Sequence, residues 1–204
     1  MPPGPDAAQP ATPPTLEAFR EGLSPYGSWA WSKEHGWIWR PRVGAGWKPY
    51  YRGQWVWTDA GWTWTSDEPW AWATYHYGRW AYDPGAGWFW VPGYQWAPAW
   101  VSWRVGEGVV GWAPLWPGWP FSSVGFAPSF RLFTFVPSHR FHGLPVHRFA
   151  VPPRFLGGPF PRTYSAAPPP PMMARGPAWS GPRGFGTRPA FGGGLRGGPM
   201  GRHR

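Results

Sequence analysis

The 204-residue chain has no cysteine and no asparagine, a single isoleucine and two lysines. Without cysteine there is no disulfide framework, thiolate metal site, zinc ribbon or cysteine nucleophile. Acidic residues are scarce, nine in all and none beyond residue 120. Gly, Pro and Arg interrupt every apolar stretch before it reaches the roughly 18 to 20 residues that a membrane-spanning helix needs, so no transmembrane helix is expected. Residues 1–25 show no cationic start followed by an apolar segment, and therefore no secretory signal. The expected compartment is the periplasm or cell envelope if an export signal lies upstream of this start, and the cytoplasm otherwise.

What is abundant divides the chain. Thirty-one Pro and 30 Gly bring it to the level of low-complexity sequence, whereas 21 Trp supply large rings that can be buried. One part is therefore expected to fold and another to stay disordered. Residues 26–120 carry seven bases against six acids, while residues 121–204 hold eleven Arg and no acid, so the net charge of +10 resides in the C-terminal part.

The strongest pattern is internal. Gly27-Ser28-Trp29-Ala30-Trp31, Gly53-Gln54-Trp55-Val56-Trp57 and Gly78-Arg79-Trp80-Ala81-Tyr82 recur at intervals of 26 and 25 residues. Each is followed by a second element: Gly36-Trp37-Ile38-Trp39, Gly61-Trp62-Thr63-Trp64 and Gly87-Trp88-Phe89-Trp90. A degenerate fourth unit is Trp103-Arg104-Val105 with Gly111-Trp112. Trp-x-Trp has a period of two, which places both indoles on one face of a strand and Ala30, Ile38, Val56 or Thr63 on the other. The short polar segments between the elements, such as Asp83-Pro84-Gly85-Ala86, have hairpin-loop chemistry, and the Gly before each second element suits a turn with positive φ. Each unit is expected to be a β-hairpin with Trp pairs facing across it.

The expected fold is all-β: an antiparallel meander, or a small rolled sheet or barrel, of three to four Trp-rich hairpins. Thr15 is expected to cap a short helix, Leu16 to Glu21, ended by Gly22, with Leu16, Phe19 and Leu23 on its apolar side. No helix is expected within 26–120. Residues 1–14 read as disordered, 15–120 as the hairpin domain, and 121–164 as a partly extended trailing segment with strands at Phe130–Val136 and Val146–Val151. Residues 165–204 read as a disordered tail, polyproline-like around Pro168–Pro171.

The strings Ser24-Pro25-Tyr26-Gly27-Ser28-Trp29, Gly36-Trp37-Ile38-Trp39-Arg40-Pro41, Pro69-Trp70-Ala71-Trp72-Ala73-Thr74-Tyr75-His76-Tyr77-Gly78-Arg79-Trp80 and Val110-Gly111-Trp112-Ala113-Pro114-Leu115 resemble an uncharacterised tryptophan-rich repeat domain of bacterial proteins. The resemblance covers roughly residues 16–120. It implies export or envelope association and carries no activity with it.

Nothing in the pattern forms a catalytic constellation. The adjacent pair Asp67-Glu68 reads as solvated loop charge, because neighbouring side chains on an extended chain diverge and paired carboxylates must converge to act as acid and base. No phosphate loop and no Gly-x-Ser-x-Gly turn is present. No enzyme activity and no cofactor is expected. His139, His142 and His147 lack an accompanying carboxylate, so no metal is expected, and His76 reads as a ring packed among Tyr75, Tyr77 and Trp72. The Trp rows read chiefly as core. Surplus rings on the connectors, Trp47, Trp70, Trp72, Trp96, Tyr75 and Tyr94, are the candidates for an aromatic shelf that binds a cell-wall glycan or a Pro-rich peptide. Arg175, Arg183, Arg188, Arg196, Arg202 and Arg204 of the tail are candidates for contact with an anionic polymer or nucleic acid. A purely structural protein, with self-association, is the remaining reading.

Overall fold

The computed structural model describes residues 12–106, 108–118, 130–157 and 162–167. Helix α1 spans Leu16–Leu23, with the Thr15 hydroxyl accepting a hydrogen bond from the Ala18 amide. Phe19 and Leu23 are buried, and Leu16 is half-buried. The helix runs past Gly22 and ends at Ser24, where Pro25 opens a 3₁₀ turn. Gly22 therefore has another role than helix termination: a Cβ there would lie 2.7 Å from the indole of Trp72, which packs on this side of the helix.

Each Gly-x-Trp unit with its following Gly-Trp-x-Trp element forms an antiparallel hairpin. The first pairs β1 (Gly27–Ser32) with β2 (Gly36–Pro41), the second β3 (Gln54–Thr58) with β4 (Gly61–Thr65), and the third β5 (Arg79–Asp83) with β6 (Gly87–Val91). The degenerate unit pairs β7 (Val101–Gly106) with β8 (Val109–Pro114). Gly36, Gly61 and Gly87 have φ of +72°, +96° and +79°, the left-handed conformation that the turns before β2, β4 and β6 require. Gly27, Gly53 and Gly78 serve close approach. A Cβ on them would stand within 2.3 Å of the carbonyl oxygens of Arg40, Thr65 and Val91, and would overlap the indoles of Trp39, Trp64 and Trp90.

The four hairpins do not line up in chain order. Strand β2 pairs with β6, giving a four-stranded sheet β1-β2-β6-β5, while β3-β4 stands alone as a two-stranded sheet. The registers Trp29↔Trp39, Trp39↔Trp90 and Trp80↔Trp90 make one row of four indoles across the first sheet. A second four-stranded sheet, β10-β7-β8-β9, is completed by β9 (Thr134–Pro137) and β10 (Tyr164–Ala166) from the trailing segment. The two-stranded sheet meets this second sheet through Trp55 and Trp103, with ring centroids 4.5 Å apart, and Phe141 packs on Trp55, Trp62, Trp103 and Trp112. Trp39, Trp55, Trp64, Trp80, Trp90 and Trp112 are fully buried and form the body of the core. On the opposite face of the first sheet, Ile38, Ala81 and Phe89 make a smaller cluster against Trp116.

Three expectations need correction. A short helix, α2 (Ala71–Thr74), does occur within the hairpin domain, where Ala at 71 and 73 favours helix and the Thr74 hydroxyl donates to the Trp70 carbonyl. Residues 146–148 form a 3₁₀ turn and not a strand, and Phe130–Leu132 is likewise a 3₁₀ turn that precedes β9. Strand β10 carries extended, paired structure two residues beyond 164, into the start of the segment assigned to the tail. Residues 1–11 and 168–204 lie outside the described residues.

Candidate ligand-binding cleft

The connector between β2 and β3 is held from below by Tyr50. Its hydroxyl donates to the Tyr75 carbonyl at 3.0 Å and accepts from the Trp100 amide at 3.1 Å, and its own carbonyl accepts from Trp112 Nε1 at 3.0 Å. Tyr50 has φ of +55°, the sole positive value among the described non-glycine residues, and these three bonds with full burial hold that unfavourable backbone in place. Burial also pushes the Tyr50 hydroxyl pKa well up, so it stays a neutral donor.

The residues just before this anchor reach a cleft of about 850 Å³. One wall is the connector, with Trp47, Lys48 and Tyr51. The second is the third hairpin's tip, where Tyr82 and Trp88 stand opposite each other with centroids 5.2 Å apart and planes inclined at 59°. The third is the trailing segment, with Arg131, Leu132, Val151, Pro153 and Leu156. The tip is itself secured: the Asp83 carboxylate accepts from the amides of Gly85 and Ala86, and Arg40 Nη1 donates to the Ala86 carbonyl at 3.1 Å. Lys48 Nζ donates to the Phe133 carbonyl at 3.2 Å, which ties the connector to the trailing segment, and lies 5.1 Å from the Tyr51 ring. Desolvation lowers the Lys48 pKa to about 8.

Behind the connector wall is a half-buried acid. Glu68 accepts from Trp47 Nε1 at 2.6 Å, from the Tyr75 hydroxyl, and from Ser66 Oγ at 3.4 Å. Burial raises its pKa, and the bonds from Tyr75, Trp47 and Ser66, with the charge of Arg52, act in the opposite direction. The Tyr75 hydroxyl is pushed far up by desolvation and by the Glu68 charge. Glu68 is thus not the solvated loop charge that its place beside exposed Asp67 suggests. It fixes the indole of Trp47, which also packs 5.3 Å from Trp80.

Of the six rings proposed for a shelf, only Trp47 lines the cleft. Trp70 and Tyr75 are buried and belong to the core. Trp72 stacks on Phe19, Trp96 on His76, and Tyr94, 51% exposed, lies 6.2 Å from Phe19. The rings do not form one continuous shelf, because each connector folds back onto a different part of the core. His76 is buried with Nδ1 3.2 Å from the Ala97 carbonyl and is stacked on Trp96. Among the described residues no three His, Cys, Asp or Glu gather as a metal site, and His142 rests on Trp62. The six tail arginines lie outside the described residues. Tyr51, Tyr82 and Trp88 were missed as cleft residues; for Tyr82 and Trp88 the signal was the aromatic pair nearest the hairpin turn, which the Trp-x-Trp pattern marks but does not separate from the core pair, and Tyr51 on the connector carried none.

The fold and cleft define an all-β, tryptophan-cored domain with a basic, aromatic-lined depression. Residues 20–119 match a family of unknown function (DUF6600), just short of half the chain. No curated protein and no solved structure matches the chain.

Proposed function

We propose that this protein is a non-catalytic binding module that takes a glycan in the cleft between the connector, the third hairpin's tip and the trailing segment. The observation that supports the reading is the convergence of Trp47, Tyr51, Tyr82 and Trp88 on one depression of about 850 Å³, a size in the usual range for ligand sites. Pyranose rings present C–H faces that lie on aromatic side chains, and the surrounding cations add polar anchors. We place its action at the cell envelope, the location that the sequence resemblance implies. A neutral Pro-rich peptide uses the rings but leaves the cations without partners, so it is the less favoured occupant.

The test is intrinsic fluorescence of the full chain titrated with neutral and acidic oligosaccharides, cell-wall fragments and Pro-rich peptides, in the native protein and in Trp88→Ala. Saturable change with a glycan that is lost in Trp88→Ala supports the reading. Unchanged emission across the panel, or a response to Pro-rich peptide alone, overturns it.

A further inference from the structure

Two cations reach the cleft from parts of the chain far apart in sequence, Lys48 in the connector and Arg131 in the 3₁₀ turn before β9, whereas Arg40 lines it at the end of β2 with its guanidinium over Phe89, on the other face of the first sheet. Among the described residues, none that lines the cleft is an Asp or Glu. The hydrogen-bond partner of Lys48 is a main-chain carbonyl, of Phe133, which accepts without cancelling the charge. Two acids of the wall elements make their hydrogen bonds outside the cleft. Asp83 closes the hairpin turn through the Gly85 and Ala86 amides, and Glu68 sits behind Trp47 with its oxygens on Trp47, Tyr75 and Ser66. Uncompensated positive charge gathered at a partly desolvated surface favours an anionic ligand, and interactions there are screened less than between fully exposed groups.

The rings narrow the choice among anions. A nucleobase is held best by a flat platform or between parallel plates. Here Tyr82 and Trp88 are inclined at 59°, and the Trp47 plane is fixed at 58° to Trp80. Such a corner offers separate ring faces in different directions, which suits successive sugars of a bent oligomer better than stacked bases. Resting on the glycan-binding reading above, we propose that the cleft takes a carboxylate-bearing oligosaccharide, with acid groups on Lys48 and Arg131 and sugar faces on Trp88 and Tyr51.

The experiment is calorimetric titration of the full chain with tetragalacturonate and with its fully methyl-esterified counterpart, which keeps the sugars and removes the charge. Arg131→Gln and Lys48→Met are tested alongside, with a single-stranded oligonucleotide as a competing polyanion. Arg131 is exposed, so its replacement leaves the core untouched. The expected result is that the acid binds and the ester binds about tenfold more weakly, with each substitution costing about tenfold for the acid and little for the ester. Equal binding of acid and ester overturns the charge assignment while leaving the glycan reading intact. Binding of neither overturns this proposal, and the wider panel then decides the glycan reading separately. Acid binding indifferent to both substitutions overturns it by moving the contact away from the cleft, and tighter, substitution-sensitive binding of the oligonucleotide replaces the sugar with nucleic acid.

Discussion

Trp39 and Trp90 face each other where β2 meets β6, joining two hairpins that are separated in the chain by a third. Both indoles are fully buried, and each also donates its N–H to a main-chain carbonyl, Trp39 to Leu23 at 3.1 Å and Trp90 to Tyr77 at 2.8 Å. With Trp29 on Trp90, Trp39 on Trp80 and the Ile38, Ala81 and Phe89 cluster, this pair joins the first and third hairpins. Trp90→Ala is expected to cost about 3–5 kcal/mol in urea unfolding, and the double variant with Trp39→Ala less than the sum of the two, because the partners share contacts. By contrast Trp57, 50% exposed at the second hairpin's tip, is expected to cost under about 1 kcal/mol when replaced by Ala.

The glycines separate into those that need space and those that do not. Gly27→Ala places a Cβ 2.2 Å from the Arg40 carbonyl oxygen and 2.6 Å from the Trp39 ring, although its extended φ of −169° is open to any residue. The expected loss exceeds about 3 kcal/mol and comes from contact alone. Gly44, with no neighbour inside 4 Å and no positive φ, is expected to tolerate Ala with little change or a gain of about 0.5 kcal/mol. Chemical unfolding of the two variants side by side checks the contrast.

Glu68 gives stability a pH dependence of definite sign. Its pKa in the folded protein is raised, chiefly by burial. Between the unfolded and folded values the folded state therefore holds more protons, so this residue's contribution falls as pH rises through that window and is restored toward the ordinary carboxylate range. Glu68→Gln removes this component, so the difference in urea midpoint between native and variant protein should change across the acid range. A constant difference at every pH would contradict the assignment.

Lys48 acts at the other end of the scale. With its pKa lowered to about 8 by desolvation, the folded state binds fewer protons than the unfolded chain between about 8 and the ordinary lysine value, and stability due to this group rises with pH there. The same loss of charge weakens an anion in the cleft. Affinity for tetragalacturonate is expected to fall about tenfold from pH 7 to 9.5, with a flat profile in Lys48→Met. Only Lys33 and Lys48 exist in the chain, so peptide mapping after amine labelling reports each one separately.

The first three hairpins were readable because two local signals agree at each: alternating aromatics mark a strand, and a Gly before the second strand marks the turn. Thr15 as the cap of α1 was readable for the same reason. The union of β2 with β6 was not, since nothing in four similar units says which edges meet; that is decided by the contact of Trp39 with Trp90 in three dimensions. The cleft was largely invisible because its walls come from residues 40–51, 82–88 and 131–156 and converge only after folding. Glu68 was hidden by its neighbours: beside Asp67 and Pro69 it looks like a loop acid, whereas Trp47 and Tyr75, which surround it, arrive from elsewhere in sequence.

The indole nitrogens fall into two groups. Trp29, Trp55 and Trp80 in first strands, and Trp64 in the second strand of the second hairpin, have buried N–H groups without a hydrogen-bond acceptor among the described residues, whereas Trp39, Trp90 and Trp112 in the other second strands donate to the carbonyls of Leu23, Tyr77 and Tyr50. Trp29, Trp55, Trp64 or Trp80 can therefore give way to phenylalanine at the expense of volume alone, while replacing Trp39, Trp90 or Trp112 also leaves a carbonyl bereft. Thinning the emitters on that basis would leave a small set of reporters, with Trp47 and Trp88 retained to signal events at the cleft against a darkened interior.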